Sequence, residues 1–240
     1  MNLILYYLFV YLIEAIILWL YCNRIFTSRK NTFLSLLITI GMFSLLIPVA
    51  ILTNAALNAF CSFIVYLCCI VLNYDSKPVW ALFHALALTI LMALSEGLIA
   101  AAIPDITIYA FRDGNIHSSA FTFVILSKSV YLCISQLVTR IFSKDTVNNA
   151  SIRKSTLMLY LIPVMSSIIT VSLGYICLNG KLSGSDSVIV FICLVLLLSI
   201  NILTFYLQQD ISQKNVEYAR LQIELQKETD TEHYYNYVQE

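Results

Sequence analysis

The 240-residue sequence predicts an all-α, polytopic transmembrane helix bundle of about seven spans, followed by one charged, coiled-coil-like helix. Three observations predict it. Hydrophobic residues make up 60% of the chain and charged residues 12%, with a mean hydropathy of +0.83; an ordinary soluble domain holds about 45–50% apolar and about 25% charged residues. Apolar runs of about 18 residues or more recur along the chain, each long enough to cross a hydrocarbon layer of about 30 Å as a helix. The period-2 alternation of a membrane barrel is absent, and in lipid the helix is the other structure that pairs its own backbone groups.

The runs place spans at 3–22, 33–52, 55–73, 79–103, 119–142, 156–178 and 187–207. The first opens on Met-Asn-Leu-Ile, without a basic leader, and carries Glu14. It is expected to stay in the membrane rather than to be removed as a signal peptide. The second and third are separated only by Thr53-Asn54 and should form a tight hairpin; were they one broken unit, the count would fall to six. Pro48 and Pro163 lie inside the second and sixth spans and should kink them. Pro78 opens the fourth span, where a missing N–H costs little, and Pro104 closes it. The last run ends at Tyr206-Leu207, where composition shifts abruptly. Residues 208–240 hold seven of the 14 acidic residues and three of the 14 basic ones. Two domains follow: a membrane domain over 1–206 and a polar helix over 207–240.

Net charge is zero, so bulk electrostatics names no partner, and no nucleic-acid binding is expected. The placement of charge is more informative. With seven spans, the connections 23–32, 74–78 and 140–155 and the tail lie on one side and carry eleven basic residues; the other side carries Arg112 and Lys181. By the positive-inside rule the N-terminus is expected outside and the C-terminus in the cytoplasm. Apart from 104–118 the outer loops are short, so an outside ligand would be read by the helices and these loops.

Three ionisable residues sit well inside spans: Glu14, Glu96 and Lys128. Each costs about 2.5–3.5 kcal/mol at a helix centre, so partners or a wet cavity are expected. They lie about eleven, seven and nine residues from the outer face, depths that differ by only a few ångströms. The fourth and fifth spans are neighbours in sequence, which points to a Glu96–Lys128 pair. A buried pair that fixes packing, a polar sensing pocket, and an ion pathway are all compatible with these residues. The fourth span also carries small residues four apart, Ala81, Ala85, Thr89, Ala93, Gly97 and Ala101, a spacing that lets helices approach closely, within the chain or between copies. His84 is expected to be a packing histidine, and Asn54, Asn58 and Asn201 to bond between helices. The seven cysteines form no CxxC or Cys/His cluster and read as small packing residues. No nucleophile elbow, phosphate loop, dinucleotide fingerprint or HExxH motif appears, so no enzyme activity, cofactor or metal is expected.

Beyond Leu207 good helix formers dominate, with no Gly or Pro. Leu207, Ile211, Tyr218, Leu221 and Leu225 follow the 4–3 alternation of a coiled-coil seam, with Lys214 as a polar gap. Arg220–Glu224 and Glu224–Lys227 stand at ion-pair spacing. The pattern predicts a parallel homodimeric signalling helix continuous with the last span; a solvated amphipathic tail is the plainer reading.

Two segments resemble the sensor half of accessory-gene-regulator-type histidine kinases, membrane receptors of the GHKL superfamily in Gram-positive bacteria. One is Tyr11-Leu12-Ile13-Glu14-Ala15-Ile16-Ile17-Leu18, followed by Ile25-Phe26 and a basic turn. The other is Leu221-Gln222-Ile223-Glu224-Leu225-Gln226-Lys227-Glu228, followed by Tyr234-Tyr235. The resemblance implies a two-component quorum-sensing role, an extracellular signal such as a peptide pheromone, and a homodimer in the cell membrane. Such kinases continue into an acceptor box and an ATP-binding domain. The sequence given reaches Glu240 before either, and His233, followed by Tyr-Tyr-Asn-Tyr, does not resemble the acceptor. The resemblance therefore implies a sensor without its kinase core. The rival expectation is a small transporter or permease component using Glu14, Glu96 and Lys128 as a polar path.

Overall fold

The computed structural model describes residues 3–52, 55–103, 118–141, 162, 165–166, 168–170, 172–173 and 184–239. Over these residues the chain is an all-α polytopic bundle. Its elements are α1 (Leu3–Ile25), β1 (Thr27–Ser28), α2 (Thr32–Ser44), α3 (Ile47–Ile51), α4 (Ala55–Asn73), β2 (Tyr74–Asp75), α5 (Pro78–Ala102), α6 (Ser118–Ile141) and α7 (Gly184–Gln239). Five helical stretches are long and apolar enough to cross a membrane: Leu3–Ile25, Thr32–Ile51, Pro78–Ala102, Ser119–Arg140 and the run within Asp186–Thr231. The apolar helix Leu57–Asn73 is shorter. Most of the expected span 156–178, with Pro163, lies outside the described residues, as do Asn54, Pro104 and Cys177.

At Pro48, where a kink is expected, the helical ladder is interrupted for two residues within the stretch Thr32–Ile51. α2 stops at Ser44, Leu45 and Leu46 turn, and α3 restarts with Pro48 in its first turn. Proline has no N–H to offer the Ser44 carbonyl, so the helical ladder cannot run through. Pro78 likewise sits in the first turn of α5, where that donor would be unused.

β1 and β2 pair antiparallel, Thr27 opposite Asp75 and Ser28 opposite Tyr74. The Arg29 N–H donates to the Asn73 carbonyl at 2.9 Å, and the Arg29 guanidinium meets Asp75 at 3.2 Å. This clasp holds the connection after α1 and the connection after α4 at the same end of the bundle. The chain between them must leave that end and return, and α4 packs on both α2 and α3. α2–α3 and α4 thus run out and back rather than as one broken unit.

α5 is the hub, packing on α4, α6 and α7, while α1 packs on α2 and α6. Its buried aromatics, Trp80 and Phe83, join Tyr21, Phe26, Tyr66, Tyr74 and Phe205 in the main core. A second cluster, Ile90, Leu94, Leu98 and Ala101 with Val190 and Leu194, welds α5 to α7. Leu5, Leu8, Leu12 and Ile16 leave one face of α1 apolar and exposed, as a helix against lipid tails requires. α7 runs for 56 residues with no Gly or Pro after its first residue, Gly184, about 84 Å at 1.5 Å per residue.

Candidate functional site: an ion cluster shared by three helices

α1, α5 and α6 each contribute one charged side chain to a single cluster. The Lys128 ammonium donates to Glu96 Oε1 at 2.5 Å and meets Glu14 Oε1 at 2.5 Å. Glu14 and Lys128 are each 3% exposed, and the Glu96 side chain is 40% exposed. Lys128 thus has one fully buried partner and one at the edge of the bundle. The Glu96–Lys128 pair matches the expectation from sequence; the inclusion of Glu14 on the same ammonium goes beyond it. Its depth already agreed with the other two, but its partner depends on α1 lying against α6.

Phenols surround the charges. Tyr6, Tyr11, Tyr66 and Tyr131 all lie within electrostatic reach of one or more of the three. The Tyr11 hydroxyl donates to Asn58 Oδ1 at 2.8 Å, and Tyr66 donates to Met92 Sδ at 3.2 Å. Tyr6 stands edge-on to Phe121 of α6 at 5.7 Å, closing the α1–α6 contact on one side. Such a cluster ties three helices together through Lys128, because removing that shared ammonium strands buried negative charge at about 3–5 kcal/mol.

The remaining candidates take structural places. His84 Nδ1 and the Tyr21 hydroxyl share a hydrogen bond of 2.7 Å, with the rings of Phe26, Trp80 and Phe83 around the imidazole. It is a packing histidine. Of the small residues of α5, Ala81, Ala85 and Ala101 are buried, while Ala93 and Gly97 are half-buried. A Cβ at Gly97 would meet Leu194 Cδ1 at 3.3 Å, so the stripe lets α7 approach within the chain. Asn201 donates to Ser166 Oγ at 2.6 Å and so bonds between helices, as Asn58 does.

Along α7, Leu207, Tyr218, Leu221 and Leu225 are exposed and Ile211 is half-buried. The ion pair that closes in this segment is Lys214–Asp210 at 2.9 Å. The expected pairs Arg220–Glu224 and Glu224–Lys227 do not form within 4 Å. Correct spacing brings such side chains into range, but solvent and side-chain entropy offset an exposed pair's attraction. Among the described residues no group of three His, Cys, Asp or Glu could hold a metal ion, and six cysteines are free. Compared with known protein families, curated proteins and solved structures, the chain shows no significant match to any.

Proposed function

We propose that this chain is the membrane-embedded sensor module of a signalling receptor, which detects an extracellular signal and relays it through α7. One observation carries the reading: α7 is a single helix that packs on α5 at Val190 and Leu194 and continues, unbroken, into a solvent-facing rod ending at Gln239. A stiff helix of this kind transmits rotation or displacement from a bundle to whatever follows it. The basic connections, eleven residues against two, support an outside N-terminus and a cytoplasmic rod. The domain boundary at 206/207 then coincides with the exit from the bilayer. The resemblance to accessory-gene-regulator-type sensor kinases supports a peptide signal, a second copy paired along Leu207, Ile211, Tyr218, Leu221 and Leu225, and a Gram-positive host.

Fusing residues 1–240 to a histidine-kinase core tests the relay. Inserting one residue within 207–228 should change kinase output, because it rotates the downstream helix by about 100°; inserting seven should restore it. Output indifferent to both insertions and to every candidate peptide would remove the relay.

A second reading rests on Lys128 holding two carboxylates inside the bundle. A transporter or permease component would use Glu14, Glu96 and Lys128 as a polar path. Solute uptake into reconstituted vesicles that is abolished by Glu96→Gln would favour it over the receptor.

A further inference from the structure

The three-helix cluster is one positive charge short. With all three groups ionised, Glu14 and Glu96 contribute two negative charges against the single ammonium of Lys128, a net charge of −1. Glu14 and Lys128 are sealed from solvent, and Glu14 Oε2 is buried with no hydrogen-bond partner among the described residues. An uncompensated negative charge at this depth is costly, and its second oxygen has nothing to accept from.

Among the described residues the surroundings bring no second cation. The groups of α1, α4 and α6 that feel the cluster are the phenols of Tyr6, Tyr11, Tyr66 and Tyr131. α2 and α3 carry no titratable residue, and α7 carries only Cys193 and Tyr206 between Ser187 and Leu207. Cys22 lies further along α1, and Cys61, Cys68 and Cys69 lie on α4. His84 stands about 18 Å along α5 from Glu96 and is engaged with Tyr21.

We propose that the Glu14–Lys128–Glu96 cluster binds one proton, held by its two carboxylates in common. Binding turns one carboxylate into a carboxylic acid and takes the cluster from −1 to neutral; no other bond changes. Sodium is the poorer occupant, because both Oε1 atoms already face the ammonium and a metal cation would sit beside Lys128. This site is independent of the relay reading: it stands or falls on the charge balance within the bundle.

Infrared difference spectroscopy of the full chain in phosphatidylcholine vesicles, titrated with pH in H2O and D2O, reads the protonated-carboxyl C=O stretch directly. Wild type should show a buried carboxylic acid that titrates. Glu14→Gln and Glu96→Gln should each lose it, since each leaves one carboxylate against one ammonium. Lys128→Met should increase the band about twofold, because both carboxylates lose their counter-charge. If Glu14→Gln fails to fold, Glu96→Gln at the partly exposed position makes the same test. The proposal is overturned by the absence of such a band in wild type, by its persistence in both Gln variants, or by its loss when sodium chloride replaces choline chloride at constant pH.

Discussion

Lys128 organises its neighbourhood because, among the described residues, it is the cation that two carboxylates from different helices share. Lys128→Met should therefore lower stability by about 3–5 kcal/mol, the range for breaking a buried pair from one side. Glu96→Gln leaves the sealed Glu14–Lys128 pair intact and should cost about 1 kcal/mol. Denaturant unfolding in detergent checks the ranking; equal losses would mean that Lys128 is not the shared centre. Tyr21→Phe removes the hydroxyl that meets His84 and should cost about 1 kcal/mol in the same assay, with the aromatic packing unchanged. The sequence marks Glu14, Glu96, Lys128 and His84 as anomalies, since charges and a histidine inside apolar runs stand out. It pairs Glu96 with Lys128 because their helices are consecutive. It does not pair Glu14 with Lys128, because residues more than a hundred positions apart meet only through helix arrangement.

Helices α5 and α7 meet where Gly97 opens a gap that Leu194 fills. Gly97→Ala should be tolerated, since the atom it approaches is the tip of a flexible leucine. Gly97→Leu should cost about 1–3 kcal/mol by overpacking, and Leu194→Ala in that background should recover part of the loss. Thermal unfolding of the two single variants and the double variant measures the coupling. The four-residue spacing of small residues was legible along α5, but the partner helix was not. Pro48 was legible as a kink; the two-residue interruption at Leu45–Leu46 follows from the lost N–H. The exit helix was legible from end to end, because a stretch without Gly or Pro that is rich in helix formers needs no tertiary contact to define it.

Across the whole molecule the two-residue clasp of β1 and β2 has consequences larger than its size. It places residues 28 and 75 at one end of the bundle and sends α2–α3 and α4 out and back. In a cysteine-free background, Ser28→Cys and Asp75→Cys should react with a membrane-impermeant thiol reagent from the same side, and Leu52→Cys from the opposite side. Labelling of Ser28→Cys and Asp75→Cys from different sides would break the hairpin. By itself the sequence determined the all-α fold class, the abrupt polar boundary near Leu207 and which residues are out of place in lipid. Those properties follow from composition and local periodicity, because a helix in lipid satisfies its backbone within its own segment. Only the tertiary structure decided that Glu14 joins Glu96 on Lys128, that Gly97 receives Leu194, and that the connections after α1 and α4 are bound together. Each is a contact between segments distant along the chain, and local hydrophobicity is the same whichever helix lies alongside.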